Sequence, residues 1–192
     1  MRDGLVLHGV EGALGGVLGT LVVKRTIAIG SSKLPEKLKP PEIRRDPAEL
    51  VVSRLEAWRG RPLSQETHAR IARSLPWAYG IGWGSVLGLG VAGLRMKTTR
   101  RIVLAGATLG ALVWGVGYIG WLPRAKVTEP VTRQGAGHVA TGLLTHVLYG
   151  LAAAIPIAAI DAVRRRREPW WERVADEVEE RVHDLRNARI RR

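Results

Sequence analysis

The chain has 192 residues, with 30 Lys and Arg against 17 Asp and Glu and a formal charge of +13. It contains no cysteine, which removes disulfides, thiol catalysis and thiolate metal sites. Nor does the charge describe a nucleic-acid binder: it gathers at the ends of apolar stretches, and no basic domain with interleaved aromatics is visible.

Four glycine-laden apolar stretches, 4–23, 76–94, 102–122 and 138–160, organise the sequence. Each is about 20 residues, the length a helix needs to cross roughly 30 Å of hydrocarbon. The expected fold is an all-α membrane protein: four transmembrane helices over 1–160, an amphipathic segment after the first, and a charged C-terminal surface helix over 161–192.

The first span, GLVLHGVEGALGGVLGTLVV, follows only Met-Arg-Asp and runs straight into Lys24-Arg25 with no small-residue cleavage pattern. It reads as a retained helix, not a cleaved signal peptide. His8 and Glu11 lie three residues apart, nearly on one face, and Gly12, Gly15, Gly16 and Gly19 make a small-residue face beside them.

Segment 24–75 is expected outside the hydrocarbon. Pro35, Pro40, Pro41 and Pro47 favour an extended path. Asp46 then suits an N-cap, with Pro47 at the first helical position and Glu49 in the first turn. The helix predicted over 47–59 puts Leu50, Val51, Leu55 and Trp58 on one side, a stripe for the bilayer or for other helices. Gly60-Arg61-Pro62 ends it. A further short helix is expected from Ser64, with Pro76 at its junction with the second span.

The second and third spans are joined by the basic run 95–101, short enough to make them an antiparallel hairpin. Gly80, Gly84 and Gly88 repeat every four residues in one, and Gly106 and Gly110 in the other. Such faces let backbones approach closely where lipid supplies no hydrophobic drive. The fourth span begins near His138 and ends before Asp161. In the tail beyond it, Pro169 suits a helix start, Trp171, Val174, Val178, Val182 and Leu185 recur at helical spacing, and Glu177 pairs with Arg181.

Arg95, Lys97, Arg100 and Arg101 in the short loop, and Arg164, Arg165, Arg166 and Arg167 after the last span, are placed for anionic lipid headgroups. They also put the N-terminus, loop 95–101 and the tail in the cytoplasm, with 24–75 and 123–137 opposite. Trp77 and Trp121 then fall together at the outer interface.

Intramembrane ionisable groups are the sharpest chemical clue. Glu11 and His146 come at roughly 10 and 18 Å from the inner boundary, so a contact through side chains or water is within reach. Three readings of His8, Glu11 and His146 stand: a polar contact that selects helix pairs, a proton or ion pathway, or ligation of a metal or haem, for which the spacing is not diagnostic. No nucleophile constellation, phosphate loop or paired catalytic carboxylates appear, and no cofactor or metal is expected. The expectation is a non-enzymatic structural or accessory subunit, partnered by the bilayer and by its own copies or a larger membrane complex. The alternative is a small channel or transporter, proton-linked through His8, Glu11 and His146.

Three segments, WAYGIGWGSVLGLGVAGL at 77–94, WGVGYIGWLPRAKVTEPVTRQ at 114–134 and HVLYGLAAA at 146–154, resemble the YagU-like proteins, a bacterial family of small inner-membrane proteins of uncharacterised function. The resemblance covers most of 4–160 and implies a four-span inner-membrane fold without an established activity. It also implies a histidine ahead of Tyr-Gly near the second and fourth spans: His146 with Tyr149-Gly150 keeps that pattern, and Pro76 stands in the other place.

Overall fold

A computed structural model describes residues 2–167 together with Val178 and Arg181; the side chains of Arg2 and Asp3 are outside it. Every regular element among the described residues is helical: α1 (Arg2–Lys33), α2 (Pro47–Arg59), α3 (Gln65–Gly93), α4 (Thr99–Trp114), a π-helical stretch (Gly115–Trp121), α5 (Leu122–Arg124) and α6 (Ala136–Arg167). Packing divides the chain into a unit Met1–Ala158 and a unit Ala159–Arg192. In the second, Arg165 donates to Asp161 at 2.9 and 2.5 Å within the last turns of α6. The expected C-terminal helix otherwise lies outside the described residues, save that Val178 and Arg181 are helical.

Three helical stretches are long and apolar enough to cross a membrane: Gly4–Lys33, Thr99–Arg124 and Ala136–Arg166. The second expected span, 76–94, is not among them, because its glycines, tryptophans and tyrosine dilute its aliphatic residues. The helices also outrun the expected spans. α3 passes through Pro76 without ending, so the separate short helix expected from Ser64 is the first part of α3. A proline removes one helical bond but is tolerated where neighbouring helices support the turn.

Glycine sets how the first unit packs. A methyl built on Gly12 would overlap Gly84, and one on Gly16 would overlap Gly80. Gly15 abuts Ala153 and Gly19 abuts Tyr149. Gly106 lies on Gly150, and Gly110 on His146. α1 is therefore clasped by α3 on one side and α6 on another, while α4 packs on α6. Leu87 and Val91 of α3 meet Ile102 of α4 and Ala153, Ala154 and Ile157 of α6 in the main apolar cluster. Outside these seams large apolar side chains face outward, among them Val6, Val10, Leu14, Leu104, Leu112, Ile119, Leu144 and Ile155.

α2 starts as its sequence dictates. The Asp46 side chain accepts from Ala48 N at 2.8 Å, Pro47 holds the first turn, and Gly60 closes the helix at φ +68. Its contact with α3 lies beside the expected stripe. Ala48 and Val52 are the residues buried against Ala72, Ile71 and Leu75 of α3. Leu50 packs on the Tyr118, Leu122 and Val127 cluster, whereas Val51 and Trp58 remain exposed. The short side chains at 48 and 52 win the contact because they allow the closest approach to Ala72. The proline-rich stretch before α2 is strapped down by backbone bonds: His138 Nδ1 donates to Lys39 O at 2.8 Å, Thr141 to Leu38 O at 2.9 Å, and Arg44 N to Val127 O at 2.9 Å.

Candidate intramembrane site

Glu11 is 2% exposed and accepts from His8 Nδ1 at 2.9 Å, one helical turn away on α1. The two therefore form a local pair, brought together by the helix repeat alone. His146 does not join them. Antiparallel packing sets Gly15 opposite Ala153 and Gly19 opposite Tyr149, so Glu11 lies level with Ile157 and His146 with Val22. Along the helix axis that separates them by roughly 16 Å. The contact that the span boundaries allowed fails because α1 and α6 pair in this register.

His146 has different company. Its Nδ1 donates to Gly142 O at 2.8 Å, one turn back, and its ring meets that of Tyr118 edge-on at 5.5 Å. Tyr118 stacks in turn on Trp114 at 6.2 Å. Tyr118 belongs to the π-helical stretch, and the sequence explains that stretch. Pro123 lacks the N–H that would bond Ile119 O and its ring crowds that carbonyl, while Gly115, Gly117 and Gly120 let the backbone widen. The wider turn presents Tyr118 to α6.

Beside these rings is a cavity of about 330 Å³, lined by Val23 of α1, residues at the start of α2 including Val51, Leu75 and Tyr79 of α3, Val113, Tyr118 and Leu122, and His146. Sequence reasoning singled out His146 but missed Tyr118, Tyr79 and the cavity. Its one available signal was the Gly-rich GVGYIGW ahead of Leu-Pro.

The two sets of basic residues stand at the ends of helices. Thr98 caps α4 by accepting from Arg101 N at 3.3 Å, and Arg95 turns the chain out of α3 at φ +49. At the opposite end of α3's apolar half, Lys24 Nζ rests 4.8 Å from the Trp77 ring centroid, a cation–π contact. Near the start of α3, His68 bonds Glu49 at 2.5 Å and Glu56 at 3.1 Å on α2. Those contacts hold the His68 imidazolium to a pKa above its ordinary value, the Glu49 hydrogen bond first. Among the described residues no group of three His, Asp or Glu is arranged to hold a metal.

Among the described residues the fold is all-helical, and its three long apolar helices are those of a membrane protein. No family model matches the chain, nor does any curated protein or solved structure. The resemblance to the YagU-like proteins accordingly rests on the quoted segments alone.

Proposed function

We propose that this is a four-span protein of the bacterial inner membrane, with both termini cytoplasmic, that serves as a non-enzymatic accessory subunit. Support for the fourth span is the pairing of α3 with α1. Gly80 meets Gly16 and Gly88 meets His8, a register that carries the 29 residues of α3 alongside most of α1. At 1.5 Å per residue, α3 is long enough to cross. Because the chain has no cysteine, Arg61→Cys and Arg100→Cys variants test the span directly with a membrane-impermeant maleimide. Labelling from opposite sides is expected; labelling from the same side removes α3 from the membrane.

One observation carries the accessory role. Gly82, Gly90 and Gly93 meet nothing within 4 Å, and with the exposed Val86 they make a second, outward stripe on α3. In lipid such a stripe suits a helix from another subunit or another copy. Native purification in mild detergent, with mass spectrometry of what accompanies the chain, identifies that subunit. A Gly82→Leu/Gly90→Leu variant should lose the association while unfolding like the parent. An assembly that survives both substitutions defeats this assignment. A proton pathway through His8, Glu11 and His146 finds no support in the register that separates them.

A further inference from the structure

We infer that the cavity beneath α2 is a binding site for a membrane-soluble phenol or alcohol, one hydroxyl on an apolar body. Its walls are mainly Val23, Val51, Leu75, Val113 and Leu122, and neither Lys nor Arg lines it. A carboxylate or phosphate would find no countercharge there. Asp46, at the rim, already holds Ala48 N.

Besides the exposed Tyr79 and Trp121, two polar groups in the lining have capacity to spare. His146 Nδ1 faces a carbonyl, which only accepts, so Nδ1 carries the proton and Nε2 of the neutral ring is an acceptor. Among the described residues nothing hydrogen-bonds to Nε2, nor to the Tyr118 hydroxyl, and the two rings are 5.5 Å apart. Both residues line the cavity, and an acceptor and a hydroxyl in one pocket are the complement of a second hydroxyl, which donates to Nε2 and accepts from Tyr118. A ketone, ester or ether would leave Nε2 unanswered.

Size and access agree. The volume of about 330 Å³ is at the small end of the roughly 300–1,000 Å³ range of small-molecule sites. Val51 and Tyr79 are both lining and outwardly exposed, which opens the cavity toward the surface beside α2. The π-helical stretch supplies the wall that carries Tyr118, and such stretches often accompany functional sites.

The test titrates the full chain in detergent with 4-pentylphenol and with its methyl ether, 4-pentylanisole, by calorimetry. Saturable binding of the phenol is expected, with the ether about three- to tenfold weaker for want of the donated bond. Tyr118→Phe keeps the ring stacking and should weaken the phenol by a similar factor, and Val51→Trp should block entry. Equal binding of phenol and ether, binding unchanged in Val51→Trp, or no saturable binding overturns the assignment. None of these bears on the outward α3 stripe, since Gly82 and Gly90 do not line this cavity.

Discussion

The hydroxyl of Tyr149 donates to the carbonyl oxygen of Gly80 at 2.6 Å, a buried bond between α6 and α3. It exists because glycine clears the way: a side chain on Gly19 would strike the Tyr149 ring. Three helices thus meet at one phenol. Tyr149→Phe removes the donor while keeping the ring, and should cost about 0.5–1.5 kcal/mol, toward the lower end because lipid-embedded hydrogen bonds average less. Equilibrium unfolding in mixed micelles measures it, and an unchanged midpoint would show that the bond contributes nothing net.

The seams between helices predict a sharp contrast among glycines. At Gly12 and Gly84 an added methyl runs into backbone, which cannot swing aside. Gly12→Ala or Gly84→Ala should destabilise by about 1–3 kcal/mol, the range for overpacking. Gly90 meets nothing within 4 Å, so Gly90→Ala should be neutral or stabilise by up to about 1 kcal/mol through reduced chain entropy. Equal losses at all three positions would mean that glycine's packing role has been misread.

How much of this was legible in sequence follows from what each feature depends on. Helices and caps are local: Asp46-Pro47 and Ser64 begin α2 and α3 where the chain says, and four-residue glycine repeats mark positions at helix contacts. Register is not local. Distance from the inner boundary brings His146 and Glu11 within reach, and the pairing of Gly15 with Ala153 moves them apart. α2's contact with α3 was not legible: hydrophobicity marks Leu50, Val51, Leu55 and Trp58, while close approach to Ala72 favours the smaller Ala48 and Val52 beside them. Tyr118 was invisible because its position depends on a change of helical pitch ahead of Pro123.

The His8–Glu11 pair should show energetic coupling. Burying a carboxylate within α1 is costly, and the His8 contact at 2.9 Å offsets part of that. His8→Phe removes this contact of Glu11 and should destabilise by about 1–3 kcal/mol. Glu11→Leu then removes the group that needed it, so the double variant should lose less than the sum of the single losses. Unfolding of all four chains under one condition gives the coupling energy. Strict additivity would show that the two side chains are neighbours without being partners.

The clasp between α2 and α3 should loosen on the alkaline side. His68 bonds Glu49 and Glu56, and Glu56 also accepts from Leu63 N at 3.0 Å. The His68 pKa is raised in the folded chain, so its contribution is complete below the ordinary value near 6.5 and is lost as pH rises through the folded value. Glu56 is lowered, by the Leu63 N–H first and His68 next, so its contribution is present above the ordinary carboxyl value and is lost on acidification. The clasp is therefore firmest between about pH 4.5 and 6.5. Hydrogen exchange over 47–59, corrected for the intrinsic pH dependence of exchange, should show protection falling as pH rises above the ordinary histidine value near 6.5. In His68→Gln protection over that range should be lower and flat, because glutamine bonds the carboxylates without carrying a charge. A parent chain whose α2 keeps the same protection throughout would show that α2 is held by Ala48 and Val52 against α3 alone.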